Sequence, residues 1–201
     1  MMTAAISWIS LALLFMTSIG LLLARDWRWS LGLLAFQYMG MFWLVQLHWP
    51  VAMAAVKLVT GWMVAAVLGI TLSGLSMGLG DSGEKSWPSG RLFRIFTAAL
   101  VLLPVISVIP NLARLLPGIG LPEISASLLL IGMGLLHLGI TAQPLRIILG
   151  LLTVLAGFEI LYAAVEGSVL VAALLALTNL GLALIGSYFL IAGPEPSEEV
   201  G

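Results

Sequence analysis

The chain of 201 residues contains no cysteine and very little charge. Without cysteine it can form neither disulfides nor thiolate metal sites. Charged residues make up 8% of the sequence, whereas soluble domains carry about 25%, so its surface cannot face water throughout. The net charge is -1 with no basic block, which argues against a nucleic-acid partner.

Motifs for catalysis and cofactor binding are also missing. The sequence has no HExxH, GxSxG, Walker or CxxC pattern. Its two histidines, His48 and His137, have no partner histidine three or four residues away, the spacing that would place two metal ligands on one helix face. We therefore predict no catalytic residues, no cofactor and no metal site.

What the sequence does contain is 61% hydrophobic residues. They form runs close to the roughly 20 residues that span a hydrocarbon core. The runs are continuous rather than alternating, which favours helices over a barrel. We predict an all-α, polytopic transmembrane helical bundle of seven spans with no soluble domain. The first run lacks the flanks of a cleaved signal peptide, so we expect it to be a retained span.

Turn and loop residues separate these spans. Pro50 is suited to the first turn of the third helix, and Pro104 should kink or break the fourth. We expect a polar loop at 76–90, a loop at 110–122, and a disordered acidic tail at 193–201. The predicted spans cover residues 3–24, 30–47, 51–75, 92–109, 123–141, 145–165 and 168–192.

Basic residues are distributed unevenly between alternate loops of this arrangement. One side collects six of them, and the other collects only Arg114. Because cytoplasmic loops carry the excess of Lys and Arg, the bias predicts an amino terminus outside and a carboxyl tail in the cytoplasm of a bacterial or archaeal membrane. The six are Arg25, Arg28, Lys85, Arg91, Arg94 and Arg146.

Three ionisable residues fall within predicted spans: Lys57, His137 and Glu159. Such residues usually face the bundle interior or a wet cavity, because a charge at mid-membrane is costly. Lys57 should lie ~10 Å and Glu159 ~12 Å below the outer face, so the two can meet if their helices are neighbours. They are candidates for an ion path, and equally for a structural ion pair, while Lys57 could instead extend its ammonium outward to the interface.

His137 and several uncharged polar residues complete the set of candidates. We expect His137 to bond a neighbouring helix, with a proton-relay role as the alternative. Interhelical hydrogen bonds are the expectation for the uncharged residues, and the glycines, including Gly150 and Gly157, should mark close helix contacts. The uncharged residues are Gln37, Thr60, Thr153, Thr178 and Asn179.

Three segments give the chain a resemblance to a known family. The opening SLALLFMTSIGLLLARDWRWSLGLLAFQ has an apolar span, a short basic turn and a polar Gln37. AVKLVTGWMVAAVLGIT carries Lys57 early in the third span, and LRIILGLLTVLAGFEILYAAVEG has a basic turn and a polar-centred helix. In these features, and in length and layout, the chain resembles hydrogenase-4 component E. Its carboxyl-terminal half is similar to 4L-type subunits of complex I and C subunits of cation/proton antiporters.

The resemblance implies a function. Such subunits hold no redox cofactor, and lie between antiporter-like channels and a peripheral redox arm. Lys57 and Glu159 would then belong to a polar chain that moves protons or cations. Where the family has a Glu-Asn-Gly triplet, this chain reads Leu155-Ala156-Gly157, and Glu159 lies one helical turn after Leu155.

Three functions remain open from the sequence. The first is an ion-translocating, non-catalytic subunit of a complex I-like, hydrogenase or antiporter assembly, with the other membrane subunits and lipid as partners. The second is a structural subunit of such a complex, in which Lys57 and Glu159 form a silent pair. The third is a stand-alone transporter of small solutes. The chain has no obvious inverted repeat and no matched pair of broken helices, which disfavours the third.

Overall fold

The computed structural model describes residues 2–78 and 91–192, with side chains for 3–75 and 93–192. This part of the chain forms seven α-helices and no strand, which confirms the predicted all-α fold. The polar loop expected at 76–90 lies largely outside the described residues, and so does the tail expected at 193–201. The helices are α1 (Met2–Leu23), α2 (Trp27–Val45), α3 (Val51–Gly78), α4 (Arg91–Leu115), α5 (Leu121–Ile140), α6 (Pro144–Val165) and α7 (Val169–Ile191).

Six of these helices are long and apolar enough to cross a membrane, whereas α2 is not. The reason lies in its composition, because Arg28 occupies its first turn and Gln37 and Tyr38 its centre. It nevertheless lies inside the bundle, since it packs between α1 and α3 and also contacts α6. A helix of 19 residues is about 28 Å long, so α2 reaches from one end of the bundle to the other.

The outer surface of the bundle is apolar along most of its length. Large side chains such as Leu170, Ile70 and Phe96 are mostly exposed, and only 6% of the most apolar stretch of α4 is buried. Contiguous exposed apolar surface of this extent is unfavourable in water and favourable in lipid. Together with the six apolar helices, it identifies an integral membrane protein.

The fourth helix corrects one of the predicted boundaries. Its predicted end was Ile109, with a loop from Pro110, yet α4 continues through both Pro104 and Pro110 to Leu115. Proline removes one backbone hydrogen bond but is tolerated inside a helix in lipid, where ending the helix would leave several groups unsatisfied. The connection to α5 is therefore only the short turn 116–120, in which Gly118 has a positive φ of 114°.

Helices α2 and α6 form the centre of the bundle. With α1 and α5 they make one group of four helices, and with α3 and α7 they make a second, while α4 packs outside on α1 and α5. Glycines allow α5 and α6 to approach closely, as predicted. A side chain at Gly134 or Gly157 would collide with backbone atoms of the facing helix, and one at Gly150 would press on His137.

Hydrogen bonds tie the helix ends together at both faces. The end of α1 and the starts of α4 and α6 lie at one end of the bundle, which we call the arginine end. There Arg94 donates to the carbonyl of Leu22 at 3.2 Å, and Arg146 donates to that of Ala24 at 2.9 Å. Both satisfy carbonyls at the carboxyl end of α1, where basic side chains are favourable. The opposite end, which we call the tryptophan end after Trp49, carries the turns that follow α2 and α6. There the Trp49 indole donates to the carbonyl of Glu166 at 2.8 Å. The two basic turns therefore share one face, as the seven-span arrangement requires.

Labelling of single cysteines tests this arrangement, because the native chain has no cysteine to give a background. We expect Gly167→Cys, at the tryptophan end, to react with an impermeant maleimide in intact cells. Asp26→Cys and Ala142→Cys, in exposed turns at the arginine end, should react only after permeabilisation. Labelling of Asp26→Cys and Gly167→Cys from the same side would contradict the helix arrangement, whereas an exchange of the two sides would contradict only the predicted orientation.

Candidate functional site

Four polar side chains from four different helices meet inside the second helix group. Tyr38 comes from α2, Lys57 from α3, Glu159 from α6 and Asn179 from α7. We call them the polar cluster. Each residue exposes 1% or less of its surface, so the cluster is shielded from both water and lipid.

The carboxylate of Glu159 is the centre of the polar cluster. Its Oε1 accepts a hydrogen bond from Lys57 Nζ at 2.8 Å and a second from Asn179 Nδ2 at 2.9 Å. The sequence left open whether Lys57 and Glu159 meet, and in the structure they do, so that Lys57 does not extend outward. Glu159 Oε2 is buried and accepts no hydrogen bond from the described part of the chain. Its lone pairs can therefore accept a proton or a hydrogen bond.

Tyr38 determines which way the Asn179 amide points. The Tyr38 hydroxyl donates to Asn179 Oδ1 at 2.9 Å, so the amide nitrogen faces Glu159. The reverse orientation would bring a carbonyl oxygen against the carboxylate, and two acceptors repel each other. The chain Tyr38 to Asn179 to Glu159 thus presents only hydrogen-bond donors to the negative charge.

The depth of the polar cluster follows from helix geometry. Lys57 lies six residues from Val51 at the start of α3, and Glu159 lies six residues from Val165 at the end of α6. At 1.5 Å per residue, both are about 9 Å below the tryptophan end. Asn179 is ten residues into α7, or about 15 Å deep. The charges therefore lie at hydrocarbon depth, where each needs the other.

A glycine on α3 makes room for Tyr38. A Cβ atom at Gly61 would overlap the aromatic ring of Tyr38, so the ring lies directly on the α3 backbone. Gly61 follows Lys57 by one helical turn, on the same face. Tyr38 is absent from the residues that the sequence singled out, because tyrosine was not included among the polar side chains at membrane depth. The available signal was a tyrosine at mid-span, since membrane tyrosines concentrate at the interfaces.

A second, neutral polar contact lies between α2 and α6. Gln37 Nε2 donates to Thr153 Oγ1 at 3.4 Å, and the Thr153 hydroxyl donates to the carbonyl of Leu149 at 2.7 Å. The interhelical bonds expected for Gln37, Thr153 and Asn179 are thus present. The same expectation is wrong for Thr60 and Thr178, whose hydroxyls donate to Val56 and Leu174 in their own helices. A threonine hydroxyl can donate to a carbonyl of its own helix in this way, so it needs no partner on another helix.

His137 lies apart from the polar cluster. It is 2% exposed and packs against Gly150 of α6, towards the arginine end. Within the described residues neither ring nitrogen has a hydrogen-bond partner of ordinary geometry, but the backbone of Leu21 in α1 lies within reach of the ring. The expected contact with a neighbouring helix is therefore with α1. Of the three ionisable candidates, Lys57 and Glu159 therefore form one site, and His137 lies elsewhere. No group of three or more His, Cys, Asp or Glu side chains that could hold a metal occurs in residues 2–78 and 91–192.

Substitution of Gly61 tests how far the polar cluster depends on the seat of Tyr38. We expect Gly61→Ala to lower the unfolding free energy by about 1–3 kcal/mol, because the new methyl group forces the Tyr38 ring to shift. Gly74→Ala on the same helix is the matched control, since its Cβ meets nothing within 4 Å. That change should be neutral or stabilising by up to about 1 kcal/mol. Equal melting temperatures for the two variants in mild detergent would show that the ring is not seated as described.

Comparisons with known proteins add no relative to this description. No family model, no curated protein and no solved structure matches the chain. The geometry of the polar cluster and its place in the bundle are accordingly the observations that bear on function.

Proposed function

We propose that this chain is a non-catalytic membrane subunit that contributes to proton or cation translocation in a larger assembly. The assembly would be of the complex I-like, energy-converting hydrogenase or cation/proton antiporter kind, to which the sequence bears a resemblance. In this proposal Lys57 and Glu159 are the titratable groups, Asn179 and Tyr38 orient the carboxylate, and the other membrane subunits are the partners.

The observation that carries the proposal is the buried pair of Lys57 and Glu159 at 2.8 Å. Ionisable residues at hydrocarbon depth are rare and commonly mark ion or proton pathways. A pair that served stability alone would be an inefficient choice, because apolar residues of similar volume are often equally or more stabilising. The pair also joins α3 to α6, and so connects the outer helices of the second group to its centre.

The chemistry of the pair suits transient proton binding. A proton that reaches Glu159 can bind at Oε2 without breaking either hydrogen bond at Oε1. Transfer of a proton from the ammonium to the carboxylate would neutralise both groups at once. Either event changes the attraction between α3 and α6, and this supports a link between protonation and helix position.

A structural role is the second candidate, because the pair and its two neutral neighbours form a closed, well-packed set of contacts. In that case Lys57 and Glu159 would fix the register of four helices and would carry nothing. A stand-alone solute transporter is a third candidate, with less support. A groove of about 440 Å³ between α6 and α7 is lined by apolar side chains such as Ile147, Leu182 and Phe189 and offers few polar groups to a solute.

The single and double variants of the pair separate the first two candidates. We expect Lys57→Met or Glu159→Gln alone to destabilise the chain by about 3–5 kcal/mol, because each leaves one group without its partner. The double variant should recover assembly. If the pair carries ions, the double variant will assemble normally and lose ion flux, measured with a pH-sensitive dye in vesicles that contain the whole complex.

The control is a second pair of buried polar residues, changed in the same way. Gln37→Leu with Thr153→Val removes the neutral contact between α2 and α6 but leaves both charges in place. We expect it to retain flux at roughly the level of its assembly. Full flux in a well-assembled double variant of Lys57 and Glu159 would exclude the translocation role and leave the structural one.

Purification tests the claim that the chain is a subunit. We expect the tagged chain, extracted in mild detergent at native expression levels, to bring other polytopic membrane proteins with it in fixed ratio. It should melt at a lower temperature when stripped of them, because buried polar atoms such as Ser127 Oγ and Gln37 Oε1 have no hydrogen-bond partner within the described chain. A chain that purifies alone with an unchanged melting temperature would contradict the subunit role.

A further inference from the structure

The donors around Glu159 restrict which ion the polar cluster can hold. Oxygen-bound metal cations in proteins take several oxygen ligands at once, from carboxylates, carbonyls and hydroxyls. The polar cluster contains four oxygens of this kind, and three of them take part in hydrogen bonds within the cluster. Glu159 Oε1 accepts two hydrogen bonds, Asn179 Oδ1 accepts one from Tyr38, and the Tyr38 hydroxyl donates that bond.

The ammonium of Lys57 occupies the position that a metal cation would need. Its Nζ lies 2.8 Å from Glu159 Oε1, a distance at which it screens the carboxylate and repels a second positive charge. The Asn179 amide adds a further obstacle, because it turns its N–H group, not its oxygen, towards the same carboxylate. Tyr38 holds it in that orientation. Glu159 Oε2 is buried and is the one oxygen of the polar cluster that takes part in no hydrogen bond with the described part of the chain.

We infer that the polar cluster is a proton site that excludes metal cations, with Lys57 as a tethered cation and with Tyr38 and Asn179 as the residues that enforce the selectivity. The inference deepens the proposed function and rests on it for the movement of the ion. The exclusion of metal cations rests on the geometry alone, so the two can be tested separately.

The test measures how sodium and lithium change the melting temperature of the purified protein, or of its complex. Choline replaces them at constant ionic strength, at pH 7 and pH 9. The wild type should melt at the same temperature in all three salts. Lys57→Met keeps an unbranched side chain and removes the charge, so the Glu159 carboxylate, left without its ammonium partner, should then bind a small cation. At concentrations near one hundred times the dissociation constant, the melting temperature should rise by about 5 °C or more. The rise should be larger at pH 9, because protons compete less.

The control is the double variant Lys57→Met with Glu159→Gln, which removes the carboxylate as well. It should show no specific response to sodium or lithium. A saturable rise in the wild type that the double variant lacks would overturn the inference, since the native site would then bind a metal cation. A folded Lys57→Met variant without any response at pH 9 would overturn it too. If Lys57→Met does not fold, the wild-type measurement against the double variant still decides.

A different result would contradict the proposed function. A complex that moves neither protons nor sodium in vesicles contradicts translocation, whatever the melting curves show. A complex that moves sodium through this subunit, with loss of sodium flux in the double variant, supports translocation and overturns the proton selectivity.

Discussion

The cost of a charge in hydrocarbon is the constraint on which this bundle depends. Lys57 and Glu159 are separated by 102 positions in sequence, and neither can remain charged at its depth without the other. Their contact requires α3 and α6 to be neighbours at one particular register. Asn179 and Tyr38 add α7 and α2 to the same requirement. One carboxylate therefore specifies the relative positions of four helices, which dispersion forces alone would specify only loosely.

Glycine packing supplies the complementary constraint in the other half of the bundle. Between α5 and α6 the contact is backbone against backbone at Gly134 and Gly157, and it involves no charge. Gly61 combines the two principles, because the absence of its side chain lets the Tyr38 ring lie on α3 and direct its hydroxyl to Asn179. Helix α4 has little of either, which explains why it remains on the outside of α1 and α5 with most of its surface exposed.

The sequence was sufficient for those features that depend on depth and composition. Apolar run length gave the helices, and counting residues from Pro50 and Gly167 placed Lys57 and Glu159 at matching depth. The sequence was insufficient where a residue can meet its hydrogen-bonding or backbone requirements in more than one way. Thr60 could bond across to another helix or back to Val56, and the sequence does not distinguish these. Pro110 could end a helix or be tolerated inside it, and in lipid the second outcome prevailed. The place of Tyr38 in the polar cluster depends on the contact of its ring with Gly61 on another helix, and no local sequence pattern reveals that contact.

The two sides of α6 explain why the ionisable residues do not form a single site. Gly150 faces His137, and Glu159 follows Gly150 by nine residues. At 100° per residue this places Glu159 on the opposite side of the helix. Thr153, which contacts Gln37, lies between these two directions. Helix α6 is therefore shared by two polar regions, one that contains the charge pair and one in which His137 packs against Gly150. A displacement of α6 caused by protonation of Glu159 would move the surface against which His137 packs, although no hydrogen bonds within the described chain connect the two residues. This geometry is the reason that the pair, and not the histidine, supports the proposed function.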